Sequence, residues 1–407
     1  MTSRSNDLDA RSWRAPAIVF GTSITALGVV RALRAHDVAT YLVAPRSAIA
    51  ARSTGVIVLE HGWTTIRSED ALRSFLSDTR LDRAVLIACE DDWVRAIAQL
   101  LDHDAGSFTS STSPSSVVEH LLDKRAFART LEKLDIDRPR TFEVGSAEDL
   151  AQVDDGELAS FFLKPRDSQR FTQEFRQKAF ALDDRESAAK QLGRALAGGH
   201  EMLLQEWVSG PPRYHVNIEG FVDRHGRVVG LLARRRIRMY PLRFGNATDA
   251  VTIPLDEVAD AADSIRRLFA SIGYHGLFSA EFKRDGSTGR HKIIEVNARP
   301  WWQIELARAA GMDVVHMAYL DALGVDVDTA SGYRIGRRWV HTFPDLRARW
   351  ENRDRRRSDS SRPQEGWFAA RHAVFQWSDL RPGLAEIGRV ARVAFELTFR
   401  REAPPDR

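Results

Sequence analysis

The segment Lys292–Pro300, KIIEVNARP, carries a glutamate and an asparagine two residues apart, and another glutamate, Glu281, lies fourteen residues before Glu295. Side chains at i and i+2 of a strand share a face. A strand through FSAEF, a turn through DGSTG and a second strand through KIIEVN therefore place Glu295 and Asn297 together, with Glu281 opposite. Oxygen donors on adjacent strands suit Mg²⁺, with Mn²⁺ as a substitute; Mg²⁺ is usually held by one or two carboxylates together with nucleotide phosphates. Arg299 lies just beyond the second strand.

The cations that could meet such phosphates are few. Only seven of the 59 basic residues are lysine (positions 124, 133, 164, 178, 190, 283 and 292), which leaves 52 arginines. Where lysine persists against that bias, a compact ammonium has a physical reason to be there, which draws attention to Lys124, Lys164 and Lys178. Lys164 ends the apolar strand FFLKP before a polar segment, where a cation can reach phosphate oxygens. Lys124 lies on a helix whose apolar side is Leu121, Leu122 and Phe127. Taken singly, each is an ordinary surface lysine. Glu206, Trp207 and Val208 close a strand whose backbone could bond an adenine edge while Trp207 or Val208 packs on its face; alone they are a strand end. Arg234, Arg236 and Arg238 share a strand face, either lining a charged site or forming a solvated basic strand. Trp301 and Trp302 read as core packing, or as an indole lining an acceptor pocket.

The elements that must position these residues begin with strands at Ala17–Phe20, Thr40–Val43, Val56–Leu59 and Ala84–Ala88, with helices between and after them. Alternation of this kind implies a parallel sheet. The turn GTSIT lacks the glycines of a dinucleotide fingerprint, and the second strand ends in Ala-Pro-Arg with no acid for a ribose. A Rossmann-like substrate domain is the better reading. A helix is expected to run from about Ser113 through VVEHLLDKRAFARTL, N-capped by Ser115 or Ser116. Strands follow at Thr141–Val144, Ser160–Lys164 and Leu203–Val208, and a hairpin at Val216–Val222 and Val228–Ala233. Arg166–Gln177 is polar without periodicity and reads as a mobile loop.

Lys124, Lys164, QEWVSG, Glu281 and Glu295-x-Asn297, at intervals near forty residues in the first half, follow the linear order of the ATP-grasp superfamily. The chain resembles its carboxylate–amine ligases in FLKPRDSQRF, LLQEWVSG, RRRIRMYPLRFG, AEFKRDG and IIEVNARPWW. The resemblance covers roughly Ser113–Gly324 and implies an α/β chain: an N-terminal Rossmann-like parallel domain (1–112), then an ATP-grasp fold whose two α+β subdomains (113–200 and 201–330) clasp ATP, then a C-terminal extension (331–407). It implies that Lys124 and Lys164 contact the α- and β-phosphates, and that Glu206, Trp207 and Val208 form the adenine hinge. Glu281, Glu295 and Asn297 would hold Mg²⁺. Arg299 would meet the γ-phosphate or acyl phosphate, with Lys178 and Arg234 or Arg236 neutralising charge. The lid is often glycine-rich in this superfamily; here it offers Ser168, Gln169 and Arg170. No acid for the ribose follows the hinge, where His215 or Asn217 could substitute.

The implied reaction is attack of a carboxylate on the γ-phosphorus of ATP, then displacement of phosphate by an amine. The expected partners are a small-molecule carboxylate and an amine, such as an amino acid or peptide, with a homodimer left open. Carboxylase or kinase chemistry, or a non-catalytic nucleotide-binding module, are the alternatives. An ordinary apolar content of 43%, a net charge of +3 and no membrane-length apolar run point away from membrane and nucleic-acid partners. The single cysteine, Cys89, follows an apolar run and is expected in a core, and the polar Met1–Arg14 has no signal-like apolar stretch, so the cytoplasm is the expected compartment. Leu346–Arg362 reads as a solvated basic loop, and Leu384–Leu397 as an amphipathic packing helix.

Overall fold

A computed structural model describes residues 15–60, 68–166, 168–241, 245–351 and 366–400, without the side chains of 168, 169 and 393–400. Met1–Arg14, the basic tract 352–362 and the side chains of Ser168, Gln169, Val393 and Leu397 lie outside the described residues.

The chain builds three sheets. Strands β1 (Ala17–Phe20), β2 (Thr40–Val43), β3 (Ile57–Val58), β4 (Ala84–Ala88) and β5 (Phe108–Thr109) form a parallel sheet in the order β3-β2-β1-β4-β5. β1 and β4 are buried at every position, as strands covered on both faces must be. Cys89 sits at the end of β4, buried, and burial pushes its thiol pKa up. The helix Ile24–Arg34 follows β1, with Ser23 accepting a bond from the Thr25 amide. A Cβ on Gly28 would come within 2.5 Å of the Ile304 side chain, so this glycine lets the helix lie directly on the helix Ile304–Ala309.

Strands β6 (Thr141–Val144), β7 (Phe161–Pro165), β8 (Phe180–Ala181) and β9 (Met202–Glu206) make an antiparallel sheet in the order β6-β9-β7-β8. The third sheet contains β10 (His215–Val222), β11 (Val228–Tyr240), β12 (Asn246–Ile253), β13 (Gly276–Arg284), β14 (His291–Asn297), β15 (Arg338–Val340) and β16 (Arg371–His372). Its order is β14-β13-β10-β11-β12-β15-β16, antiparallel except for β15 with β16. The stretch after residue 330 thus supplies the last two strands of this sheet.

Five local expectations need correction. Leu346–Arg362 is not wholly a solvated loop: its first six residues end the helix Thr342–Glu351, with Ala348 buried. Arg166–Gln177 is not a loop: Ser168–Phe175 is a helix. Phe171 and Phe175, one helical turn apart, lie 4.6 Å from each other, and Phe171 is 5.0 Å from Phe180, so an apolar pair hidden among polar residues anchors the segment. The long helix after Ser113 is two helices, Ser115–Leu122 and Lys124–Lys133, broken where the Asp123 carboxylate caps the second through the amides of Arg125 and Ala126. The first begins directly after Pro114 without a side-chain cap, so neither Ser115 nor Ser116 caps it. The helix Leu380–Arg400 forms, but its buried positions include Pro382, Gly383 and Glu386, while Leu384 is 66% and Ile387 47% exposed. Its apolar stripe is therefore not the packing face there.

Candidate active site

A cavity of about 830 Å³ opens between the four-stranded and seven-stranded sheets. Its floor is written by strand alternation. In register, Glu281 faces Glu295 on one side and Asn217 on the other, and Asn217 faces Arg234. Ser279 pairs with Asn297 and Glu219, and Lys283 with His215 and Lys292. A bulge in β14 between these pairs keeps Glu295 and Lys292 both on the cleft side.

The Glu281 carboxylate accepts from Arg236 Nη2 at 3.0 Å and lies 2.8 Å from His215 Nδ1. Burial works to raise its pKa, but Arg236, His215 and Arg234 together outweigh that and hold the carboxyl well below the usual range. Burial lowers the pKa of His215, so a neutral ring donating from Nδ1 to Glu281 satisfies both groups. Deeper in, Arg234 Nε donates to Glu219 Oε1 at 2.6 Å, Ser279 Oγ donates to the same oxygen at 3.0 Å, and the Asn217 amide donates to Ser279 Oγ at 3.3 Å. Burial raises the pKa of Glu219 despite Arg234. Five buried polar atoms here have no hydrogen-bond partner among the described residues: Asn217 Oδ1, Glu219 Oε2, Arg234 Nη1, Arg236 Nε and Trp301 Nε1. Buried polar atoms rarely go unmatched, and such a concentration marks a place completed by ligand or solvent.

Arg299 Nε bonds Asp91 of the first domain at 2.6 Å, and its Nη2 donates to Asn297 Oδ1 at 3.1 Å. The Asn297 amide is 3.4 Å from Glu295 Oε1. Arg238 does not share the cleft face of Arg234 and Arg236, because register shifts in β11 turn it toward Asp249 and Asp345, each 2.7 Å away. Arg234 and Arg236 are buried, so the solvated-strand reading does not hold for them.

The opposite wall brings Phe162 and Lys164 from β7 and Thr172 from the Ser168–Phe175 helix. Lys178 Nζ reaches across to Asn246 Oδ1 at 3.1 Å. Lys292 binds Glu206 at 2.9 Å and Asp285 at 2.9 Å, which ties β9 to the floor sheet. The Glu206 side chain is therefore occupied, and the amides of Glu206 and Trp207 are taken by Arg140 and Ser160 carbonyls. Phe162 meets Trp207 edge-on at 5.6 Å, and Lys283 Nζ lies 5.1 Å over the Trp207 ring. Burial, aided by Arg236, brings the Lys283 pKa down to about 8.

Twelve of the thirteen candidate residues border this one cavity: Lys164, Lys178, Glu206, Trp207, Val208, His215, Arg234, Arg236, Glu281, Glu295, Asn297 and Arg299. Lys124 does not line it; its ammonium donates to the carbonyls of Pro165 and, at 2.7 Å, of Arg166. Trp301 and the half-buried Trp302 also line it. The sequence reading did not single out Lys283, Ser279, Glu219 or Asp91. The first three follow from the same alternation that selects Glu281 and His215, whereas Asp91 is 208 residues from Arg299 with no local signal.

Among the described residues, no group of three or more His, Cys, Asp or Glu side chains could enclose a metal ion. Glu281, Glu295 and Asn297 offer two carboxylates and an amide oxygen, with the unmatched Asn217 Oδ1 next to Glu281 in register. That donor set fits a hard cation sharing its shell with phosphate oxygens, not an all-protein cage.

No protein-family model matches the sequence, and no curated protein matches it significantly. Solved structures do share its fold. Biotin carboxylase from Campylobacter jejuni superposes with a TM-score of 0.62 at 12% identity, covering 81% of this chain and 75% of the other. L-amino acid ligase from Bacillus licheniformis gives 0.60 at 12% identity, covering 80% and 78%. N5-carboxyaminoimidazole synthetase from Staphylococcus aureus, in complex with ADP, gives 0.60 at 11%, covering 80% of each. With two sheets clasping a cleft behind a parallel α/β domain, and likenesses that span both, the chain has the ATP-grasp fold.

Proposed function

We propose that the protein is an ATP-dependent ligase that joins a carboxylate to an amine through an acyl phosphate, releasing ADP and phosphate. The observation that carries this reading is the register pair Glu281–Glu295 facing a cleft that also holds Lys164, Lys178, Arg234, Arg236 and Arg299. Carboxylate and triphosphate repel each other, so the chemistry is chiefly alignment and charge neutralisation.

In this reading Val208 offers its amide to the adenine edge, since the two preceding amides are committed. Lys164 holds phosphate oxygens from the upper wall, and Lys178 helps to neutralise charge there. Arg234 and Arg236 take the substrate carboxylate, using the guanidinium nitrogens left unmatched in the floor. A carboxylate oxygen attacks the γ-phosphorus as the bond to the ADP oxygen breaks. The amine nitrogen then attacks the acyl carbon, phosphate leaves and the nitrogen loses a proton. Glu281, Glu295 and Asn297 would hold Mg²⁺, which when bound supplies charge stabilisation to the transferring phosphoryl group. The Ser168–Phe175 helix, packed above the cleft, limits water that would hydrolyse the acyl phosphate.

The test is an ADP-release screen over carboxylates, each with and without a panel of amino acids, with hydroxylamine added to trap a hydroxamate. Hydroxamate and ADP are expected with the correct carboxylate, and Glu295→Gln should lose turnover while keeping its circular dichroism spectrum. Release of AMP and pyrophosphate would overturn the acyl-phosphate route.

A further inference from the structure

The family resemblance leads one to look for two phosphate-binding lysines, yet only Lys164 of the expected pair lines the cleft. The Lys124 ammonium is committed to the backbone carbonyls of Pro165 and Arg166. A different lysine stands in the cavity. Lys283 follows Glu281 by two positions on β13, so it projects from the same face, about 7 Å along the strand.

The register sets Lys292, Lys283 and His215 in one row across the floor. Lys292 is neutralised by Glu206 and Asp285, and His215 leans on Glu281. Lys283 is 5% exposed and has no carboxylate within ion-pairing distance among the described residues. Its ammonium lies over the face of Trp207 and feels Arg236 and Glu281 through space without bonding either. A buried cation with no bonded carboxylate is costly, and the cost is understandable if an anion belongs in the cleft. A nucleotide placed with its base at Trp207 and its terminal phosphates at Glu281 and Glu295 runs past Lys283 with the part of its chain nearest the sugar.

We propose that Lys283, in place of Lys124, supplies the second phosphate-binding ammonium, reaching the α-phosphate from the floor while Lys164 acts from the opposite wall. This rests on the nucleotide site proposed above.

Titration calorimetry with a non-hydrolysable ATP analogue, ADP, AMP and adenosine separates the possibilities, with the weaker ligands measured by displacement. Lys283→Met keeps the stem packed on Trp207 and removes the charge. It should weaken the three phosphorylated ligands alike, by about tenfold to a hundredfold, and leave adenosine unaffected. Lys283→Arg should restore most of the loss, which distinguishes a missing charge from a misfolded protein. Lys124→Met should leave all four affinities unchanged. Wild-type affinities for Lys283→Met, or a loss that includes adenosine, would overturn the proposal while sparing the nucleotide site. If the unmodified protein binds none of the four, the nucleotide reading itself fails.

Discussion

Lys164 and Lys133 are chemically the same side chain in opposite settings. Lys133 is exposed at the end of its helix, whereas Lys164 is half-buried at the edge of the cavity. Lys164→Ala is expected to weaken binding of a non-hydrolysable ATP analogue by at least about tenfold, the scale of one charge-assisted bond. Lys133→Ala should leave it unaltered, and equal losses in calorimetry would show that the strand-end position is not special. At this scale much was legible beforehand. The two-residue period of a strand was enough to put Glu281 opposite Glu295, because a pleated hairpin allows little else. Lys124 illustrates the limit: its helix and spacing were readable, but whether its ammonium meets a ligand or a pair of carbonyls depends on how the chain turns after Pro165. The Arg299–Asp91 pair lies beyond any local rule, since it joins separate domains.

The Ser168–Phe175 helix shows how an element escapes a periodicity argument. Eight residues hold only two large apolar side chains, too few to stand out from polar neighbours, and their meaning comes from Phe180 and His200 on other elements. Phe171 is fully buried, so Phe171→Ala should destabilise the four-stranded sheet by about 3–5 kcal/mol. Its signature would be earlier loss of hydrogen-exchange protection in β7 and β8 than in the parallel sheet; uniform loss across the molecule would argue against a separately unfolding lid. β1, β2 and β4 were legible because buried parallel strands are continuous apolar runs. The break at Asp123 was not, since a capping aspartate inside a helical pattern looks like any other polar residue.

For the whole molecule, the decisive residue is Arg31. It is 3% exposed and its guanidinium reaches Asp379 at 2.9 Å, Glu305 at 3.1 Å, and the carbonyls of Ala373 and Val374 at 2.9 and 2.8 Å. Arg31→Met takes the shared cation from two buried carboxylates, leaving Asp379 only Arg34 at 3.6 Å and Glu305 only Arg371 at 3.2 Å among the described residues, and should cost about 3–5 kcal/mol in urea unfolding at neutral pH. Burial tends to raise the pKa of Asp379, but the Thr54 amide, Arg31 and Ser53 outweigh it and hold the carboxyl below its ordinary value. A carboxylate depressed in the folded state contributes stability above about pH 4 that is lost as pH falls through its folded value. Removing Arg31 shrinks that contribution, so the acid-unfolding midpoint followed by circular dichroism should move to higher pH; an unmoved midpoint would show that Arg31 does not set it. None of this was visible in sequence, where Arg31 is one of many arginines.

The same cluster bears on how the protein is made. Arg31 and Asp379 are 348 positions apart. While the ribosome is still adding the middle of the chain, the first domain can assemble its parallel sheet but must keep an uncompensated guanidinium out of its interior. Final closure of that domain therefore waits for Glu305 and then Asp379, far along the chain, to emerge. Nascent chains halted before Asp379 should resemble an open intermediate, more exposed to proteases and chaperones than the domain's short strands and local helices would suggest.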